Sequence, residues 1–157
     1  MSFFSNEIVL IFFQLVFALI LGMIMGLQRV LSHKTAGMRT YALVSMGSAL
    51  FIIVSEIVGR HSNGLVFSPV AMASSVITGI GFLCAGLIIF HEDKIVGLTT
   101  AAGLWVAAGA GIAVGFKLYG IALIATLLTL FIFTLLWDIE EKIKKFTEKS
   151  GVPIQNE

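Results

Sequence analysis

Charge is scarce in this sequence. Only 12% of its 157 residues are Asp, Glu, Lys or Arg, against about 25% in an ordinary soluble domain, and 58% are hydrophobic. Of ten basic and nine acidic residues, nine lie after Trp137, and three more, Arg29, Lys34 and Arg39, share one short segment. What is left cannot cover the surface of a water-soluble globule. The composition is that of an integral membrane protein.

The other scarcities exclude more. A net charge of +1 leaves no broad basic face, so nucleic acid is not an expected partner. The single cysteine, Cys84, excludes an intrachain disulfide and a multi-cysteine zinc site. Two prolines and few polar runs argue against a long disordered region. The N-terminal MSFFSNE has no basic residue before the apolar run, so it does not read as a removable signal peptide. The first hydrophobic stretch is expected to remain as a spanning helix. There is no paired intramembrane Asp set, HExxH, GxSxG or Walker loop, so no catalytic or metal-ligating set and no cofactor are expected. Gly79-Ile80-Gly81 imitates the start of a dinucleotide loop, but it sits inside an apolar run with no strand before it. A carrier mechanism is poorly supported too, because no inverted repeat is detectable.

What the chain does have is long apolar runs. A bilayer core about 30 Å thick needs about 20 mostly apolar helical residues. Five stretches qualify, at about Ile8–Leu27, Tyr41–Val58, Val70–Phe90, Ile95–Gly115 and Leu118–Trp137. The expected fold is an all-α integral membrane protein with five transmembrane helices, residues 1–137, rather than a transmembrane β-barrel. With the N-terminus outside, the cytoplasmic segments hold Arg29, Lys34, Arg39, Lys94, Lys142, Lys144, Lys145 and Lys149, and the external ones only Arg60 and Lys117. The positive-inside rule therefore predicts N-out and C-in. Tyr41 and Trp137 are then expected at the cytoplasmic interface and Tyr119 at the outer one.

Residues 138–157 read as a short amphipathic cytoplasmic helix and a loose tail. Ile139, Ile143 and Phe146 make an apolar stripe, Glu140–Lys144 and Glu141–Lys145 are favourable pairs, and Gly151 and Pro153 end the helix. A helix lying on the membrane surface is the simplest reading, with a docking site for a partner as the alternative.

Two features depart from plain membrane filler. Half of the 16 glycines fall between Gly79 and Gly115, and Gly22–Gly26 and Gly111–Gly115 are GxxxG pairs. Small residues let helices approach closely, so Gly79, Gly81, Gly86, Gly97 and Gly103, with Trp105, are expected at helix-packing positions. Packing within one bundle, a dimer seam and broken helices around a midplane site are all compatible with that pattern. A homo-oligomer, a dimer or larger, is expected, with the lipid bilayer and another membrane protein as further partners. Secondly, polar residues gather on the predicted cytoplasmic side: Gln28 and Arg29, then Arg39 and Thr40, then Thr99 and Thr100 behind His91, Glu92, Asp93 and Lys94. Two arginines with nearby hydroxyls suit an anionic headgroup, a phosphate or a partner's carboxylate. Glu56, with Arg60 four residues on and His61 beside it, reads as an interfacial pair, a cation site at the outer mouth being the alternative. Ser74, Ser75 and Thr78 are expected to bond the backbone one turn back, and Cys84 to act as a small apolar residue.

The string Gly79-Ile80-Gly81-Phe82-Leu83-Cys84-Ala85-Gly86, followed after ten residues by Gly97-Leu98-Thr99-Thr100-Ala101-Ala102-Gly103-Leu104-Trp105, resembles the central signature of the MgtC/SapB membrane proteins. Ala36-Gly37-Met38-Arg39-Thr40 resembles that family's AGLRT segment, and Gly26-Leu27-Gln28-Arg29 its GLER motif. The resemblance covers roughly Gly22 to Thr126. It implies a bacterial inner-membrane protein with five helices in this orientation. It further implies links to magnesium limitation, acid adaptation and virulence, and control of other membrane machines. Many family members carry a cytoplasmic domain after the fifth helix, so this chain resembles the short, SapB-like form. It also departs from the pattern. Gln28 stands for the Glu of GLER, Ser68-Pro69-Val70-Ala71 for an Asp-Pro-x-Arg segment, Ser75 for a Gln, and Cys84 for a Gly. These losses count against direct cation coordination and leave Arg29, Arg39, Thr99 and Thr100 as the expected recognition set.

Overall fold

The computed structural model describes residues 2–61, 68–91 and 94–137, with 139, 142, 143 and 146 beyond them. Five helices form: α1 (Ser2–Leu31), α2 (Met38–His61), α3 (Pro69–Leu87), α4 (Leu98–Gly115) and α5 (Tyr119–Phe131), the last continuing through a π-helical stretch at Ile132–Leu136. Each is long and apolar enough to cross a membrane, α5 together with its π-helical continuation. The protein is an all-α, multi-pass membrane protein.

The helix ends have identifiable causes. Helix α1 stops at His33, which takes a left-handed conformation, φ 53°. The N–H of Lys34 then returns to the Arg29 carbonyl, and that of His33 to Val30, closing a Schellman motif. Helix α4 ends the same way on Lys117, φ 63°, with Leu118 bonded to Ala113 and Lys117 to Val114. Helix α3 starts on Ser68, whose Oγ accepts from the Ala71 N–H, with Pro69 in the first turn, where its missing N–H leaves nothing unsatisfied.

The third and fourth spans are shorter than their apolar runs suggested. Between Leu87 and Leu98 lies an antiparallel hairpin, β1 (Ile89–His91) with β2 (Lys94–Val96), registered Ile89 to Val96 and Phe90 to Ile95. These β-branched and aromatic residues suit a strand as well as a helix, and hydropathy alone does not separate the two. The turn back into α4 requires Gly97. Its φ is 95°, and a Cβ there would lie 2.0 Å from the Leu87 carbonyl oxygen.

Helices α2 and α4 form the centre, and α1, α3 and α5 surround them. One apolar cluster gathers Met25, Tyr41, Leu104 and Phe133; a second, nearer the opposite end, gathers Ala18, Leu21, Ala49, Val114 and Ala122. Close approach is built on glycine. A Cβ at Gly22 would come within 2.4 Å of the Tyr41 carbonyl oxygen, and one at Gly111 within 2.0 Å of that of Ser45. Both GxxxG pairs therefore serve packing inside the bundle. Buried polar side chains add cross-links: Ser45 Oγ donates to the Ala18 carbonyl at 2.8 Å. Gln14 Nε2 donates to the Val114 and Gly115 carbonyls at the end of α4, at 2.6 and 3.0 Å, and so ties α1 to that helix end. Of the expected tail, Ile139, Ile143 and Phe146 are helical and exposed. The Glu140–Lys144 and Glu141–Lys145 pairs and the Gly151–Pro153 stop lie outside the described residues, as do Glu92, Asp93 and the side chain of His61.

Candidate functional site at one end of the bundle

The end of α1, the start of α2, the hairpin and the start of α4 meet at one end of the molecule. Arg29 is its centre. Although charged, it is only 4% exposed. Its Nη2 donates to Thr100 Oγ1 at 2.6 Å, and its guanidinium carbon lies 4.6 Å from the Phe133 ring centroid, a cation–π arrangement. Its Nε has no hydrogen-bond partner. The Tyr41 hydroxyl closes the cluster by donating to the Thr100 carbonyl at 3.0 Å. Gln28 Nε2 donates to Ser32 Oγ at 3.1 Å and to the Phe133 carbonyl at 2.8 Å, leaving its Oε1 buried and unpartnered. The π-helical stretch thus serves both members of the Gln28–Arg29 pair, its Phe133 ring facing the arginine and its carbonyl the glutamine. π-helical turns are often found at functional sites.

The six residues expected in one site separate into two groups. Gln28, Arg29 and Thr100 lie together inside. Arg39, Thr40 and Thr99 are exposed, and no hydrogen bond or ion pair joins them to the inner cluster among the described residues. The short connection between α1 and α2 does not bring the two arginines into contact; the Schellman turn ends α1 with Arg29 facing inward. Tyr41, expected at the membrane interface, is instead fully buried, because its hydroxyl finds the Thr100 carbonyl inside. Trp137 and Tyr119 are exposed. Tyr41, Phe133 and Gln14 were not singled out as working residues. For Gln14 a signal existed, since an amide in mid-span must find a partner. For Phe133 there was none.

The expected packing residues divide as well. Gly97 and Gly103 have neighbours that a Cβ would strike; for Gly103 these are the Phe133 ring at 2.3 Å and the Tyr41 hydroxyl at 2.5 Å. Gly79, Gly81 and Gly86 have no such neighbour within 4 Å, and Trp105 is 51% exposed.

The two ends of the bundle differ in the ion pairs among the described residues. At the far end Glu56 pairs with Arg60 and lies 3.6 Å from Lys117 Nζ, so two cations share one carboxylate. The expected Glu56–Arg60 pair is thus formed, extended by a lysine from the α4–α5 turn. At the Arg29 end, Arg29, Lys34, Arg39 and Lys94 have no carboxylate partner among the described residues. No group of three or more His, Cys, Asp or Glu that could hold a metal occurs among the described residues. Ser68, where the resembled pattern carries Asp, is the cap of α3, a role that Ser and Asp fill alike. Ser75 Oγ donates to the Ala71 carbonyl of its own helix.

Five apolar helices around a buried arginine define a multi-pass membrane protein with a polar cluster at one end. The MgtC family model matches residues 15–142, and the chain belongs to that family. It is 40% identical over 112 residues to "Putative magnesium transporter YhiD" of Escherichia coli (strain K12), covering 68% of this chain and 51% of that one. It is 39% identical over 127 residues to "Protein SrpB" of Synechococcus elongatus (75% and 70%), and 38% over 119 residues to "Protein MgtC" of Brucella abortus (strain 2308; 76% and 48%). The chain spans about half the length of the YhiD and MgtC relatives. No solved structure matches it.

Proposed function

We propose that this protein is a non-enzymatic bacterial inner-membrane protein that recognises an anionic group, a small anion or a membrane partner's acidic segment, at the Arg29 end of the bundle. The observation that carries this reading is the buried Arg29, which has no carboxylate partner among the described residues. At the far end Arg60 and Lys117 share Glu56, while Arg29, Lys34, Arg39 and Lys94 have no carboxylate partner among the described residues. A guanidinium held in a poorly polarisable interior projects its field further than one in water, so Arg29 biases this end toward anions even from a buried position. Arg39, Thr40 and Thr99 are the exposed groups that a ligand meets first. The excess of Lys and Arg on this side supports placing it in the cytoplasm, with the N-terminus outside.

Two measurements test the reading. Detergent-purified full-length chain is melted in phosphate and in chloride at equal ionic strength. Phosphate should raise the melting temperature of the wild type and leave that of Arg29→Met unchanged. In parallel, affinity capture from native membranes should recover a partner chain with the wild type and lose it with Arg39→Ala and Thr99→Val. No phosphate effect together with unchanged capture sinks the proposal.

A second reading, a subunit of a magnesium transporter or channel, is favoured by the name of the Escherichia coli relative. It demands magnesium flux in liposomes containing the purified protein. Absence of flux under a magnesium gradient removes it.

A further inference from the structure

An open apolar groove of about 480 Å³ runs between α2 and α3. Leu43, Gly47 and Phe51 line it from α2, and Val76, Gly79 and Leu83 from α3. Two glycines make the space: a Cβ on Gly47 or Gly79 would meet no atom within 4 Å. The two hydroxyls on its walls are already used. Ser48 Oγ donates to the Val44 carbonyl at 2.8 Å and Ser75 Oγ to the Ala71 carbonyl at 3.1 Å, each within its own helix. Nothing in the lining calls for water, and both walls are membrane spans, so the surrounding medium is hydrocarbon.

The groove also has a charged end. Thr40 precedes Val44, and Arg39 precedes Leu43, by four residues on α2, which places them one turn beyond the groove on neighbouring faces. Both are exposed, and Arg39 has no carboxylate partner among the described residues. Exposed Lys94 lies at this same end, on the hairpin that follows α3. We propose that the groove holds one acyl chain of an anionic phospholipid whose headgroup phosphate is bound by Arg39 and Thr40. The tail supplies the burial, and the arginine selects the charge. A second copy of the chain fits less well. A two-fold axis normal to the membrane, passing beside this groove, would bring the Arg39 residues of both copies to the same rim, where like charges repel. This inference shares the exposed Arg39 and Thr40 with the function proposed above and goes beyond it in the ligand: a lipid resident on the α2–α3 face, held by the groove without the buried Arg29 cluster.

Native mass spectrometry of the full chain in mild detergent tests the assignment, with phosphatidylglycerol and phosphatidylcholine of identical acyl chains added in equal amounts. The wild type should retain phosphatidylglycerol in preference by about fivefold, the selectivity expected of one arginine at a membrane surface. Arg39→Gln should bring the two lipids to equal retention without losing the tail-dependent signal. Gly47→Leu with Gly79→Leu fills the groove from positions that have room for a side chain. It should lower retention of both lipids by about tenfold. Gly120→Leu, on α5 and equally unobstructed, controls for the substitution itself and should change nothing. Equal retention by the wild type and the groove-filled variant overturns the proposal, as does equal retention of the two lipids by the wild type. A lipid-free dimer that the groove-filled variant dissolves would overturn it in favour of a second copy. Because Arg29→Met leaves the groove and its rim intact, loss of phosphate stabilisation in that variant with lipid retention unchanged separates lipid binding from recognition at Arg29, although Arg39 and Thr40 serve both.

Discussion

Helices α3 and α4 have similar lengths, 19 and 18 residues, and are both rich in glycine. Yet 61% of the α4 span is buried within the chain, and only 11% of the α3 span. On α4, Gly103, Gly111 and Gly115 are each pressed by a neighbouring helix: Phe133 and Tyr41, Ser45, and Ile52, respectively. On α3, Gly79, Gly81 and Gly86 face open space. The same residue type thus does two kinds of work. In the centre it lets backbones meet, and at the edge it keeps a helix surface thin where the bilayer or a ligand can approach. Hydroxyls follow the same division. Thr100 on α4 spends its side chain on Arg29, whereas Ser75 and Thr78 on α3 return theirs to their own backbone.

The sharpest way to break this contrast is to add one methyl group to each helix. At Gly111 an alanine Cβ would sit 2.0 Å from the Ser45 carbonyl oxygen, a backbone atom that cannot swing away. Gly111→Ala should therefore cost about 3 kcal/mol, at the upper end for overpacking. Gly81→Ala meets nothing and replaces a poor helix former, so it should be neutral or gain up to about 1 kcal/mol. Thermal unfolding of the two variants in the same detergent measures the difference directly. A large cost at Gly81 would mean that the α3 face is packed in the assembled protein, and the contrast between edge and centre would fail.

That contrast could not be read from the sequence, for a physical reason. Hydropathy counts transfer into hydrocarbon, and a lipid-facing helix and a buried one transfer equally well. So the five spans and the family motifs were legible, while the burial of each span was not. The hairpin at Ile89–Val96 was hidden for a related reason, since Ile89, Phe90, Ile95 and Val96 are as apolar as the helices they extend. At the candidate site, Arg29 and Thr100 were legible because an arginine and a threonine beside an apolar span need partners. Their separation from Arg39 was not, because it depends on the left-handed turn at His33, a residue with no glycine-like signal. Phe133 belongs to the cluster only through a π-helical turn, which shifts its register away from the simple helical spacing.

Removing one hydroxyl from each helix gives a smaller effect of the same kind. Thr100→Val deletes the acceptor of the 2.6 Å bond from Arg29 and leaves more of a buried guanidinium unpartnered. A loss of about 2 kcal/mol is expected for a hydrogen bond to a charged group. Thr78→Val deletes a bond to the Ser74 carbonyl one turn back, on an exposed face, and should stay within about 0.5 kcal/mol of the wild type. Equal losses in the melting experiment would show that Thr100 is structural padding and that Arg29 draws its support elsewhere.

Cys84 is the exception on α3, and it tests how the edge helix is attached to the centre. It is one of only two buried side chains described for that helix, and its thiol donates to the Ala101 carbonyl of α4 at 3.1 Å. A thiol is a weak donor, so this contact holds α3 partly by hydrogen bonding and partly by the bulk of sulfur. The two contributions separate by substitution. Cys84→Ser keeps a donor in the same place and loses volume and apolar character; Cys84→Ala loses both donor and volume. If the hydrogen bond matters, Cys84→Ala should cost about 1 kcal/mol and Cys84→Ser clearly less. If sulfur bulk matters, the two should cost the same, or serine more, because its hydroxyl is dearer to bury. The second result would make the α3–α4 contact purely apolar, interchangeable in kind with the contact α3 makes with lipid, and the edge helix would then be held by shape alone.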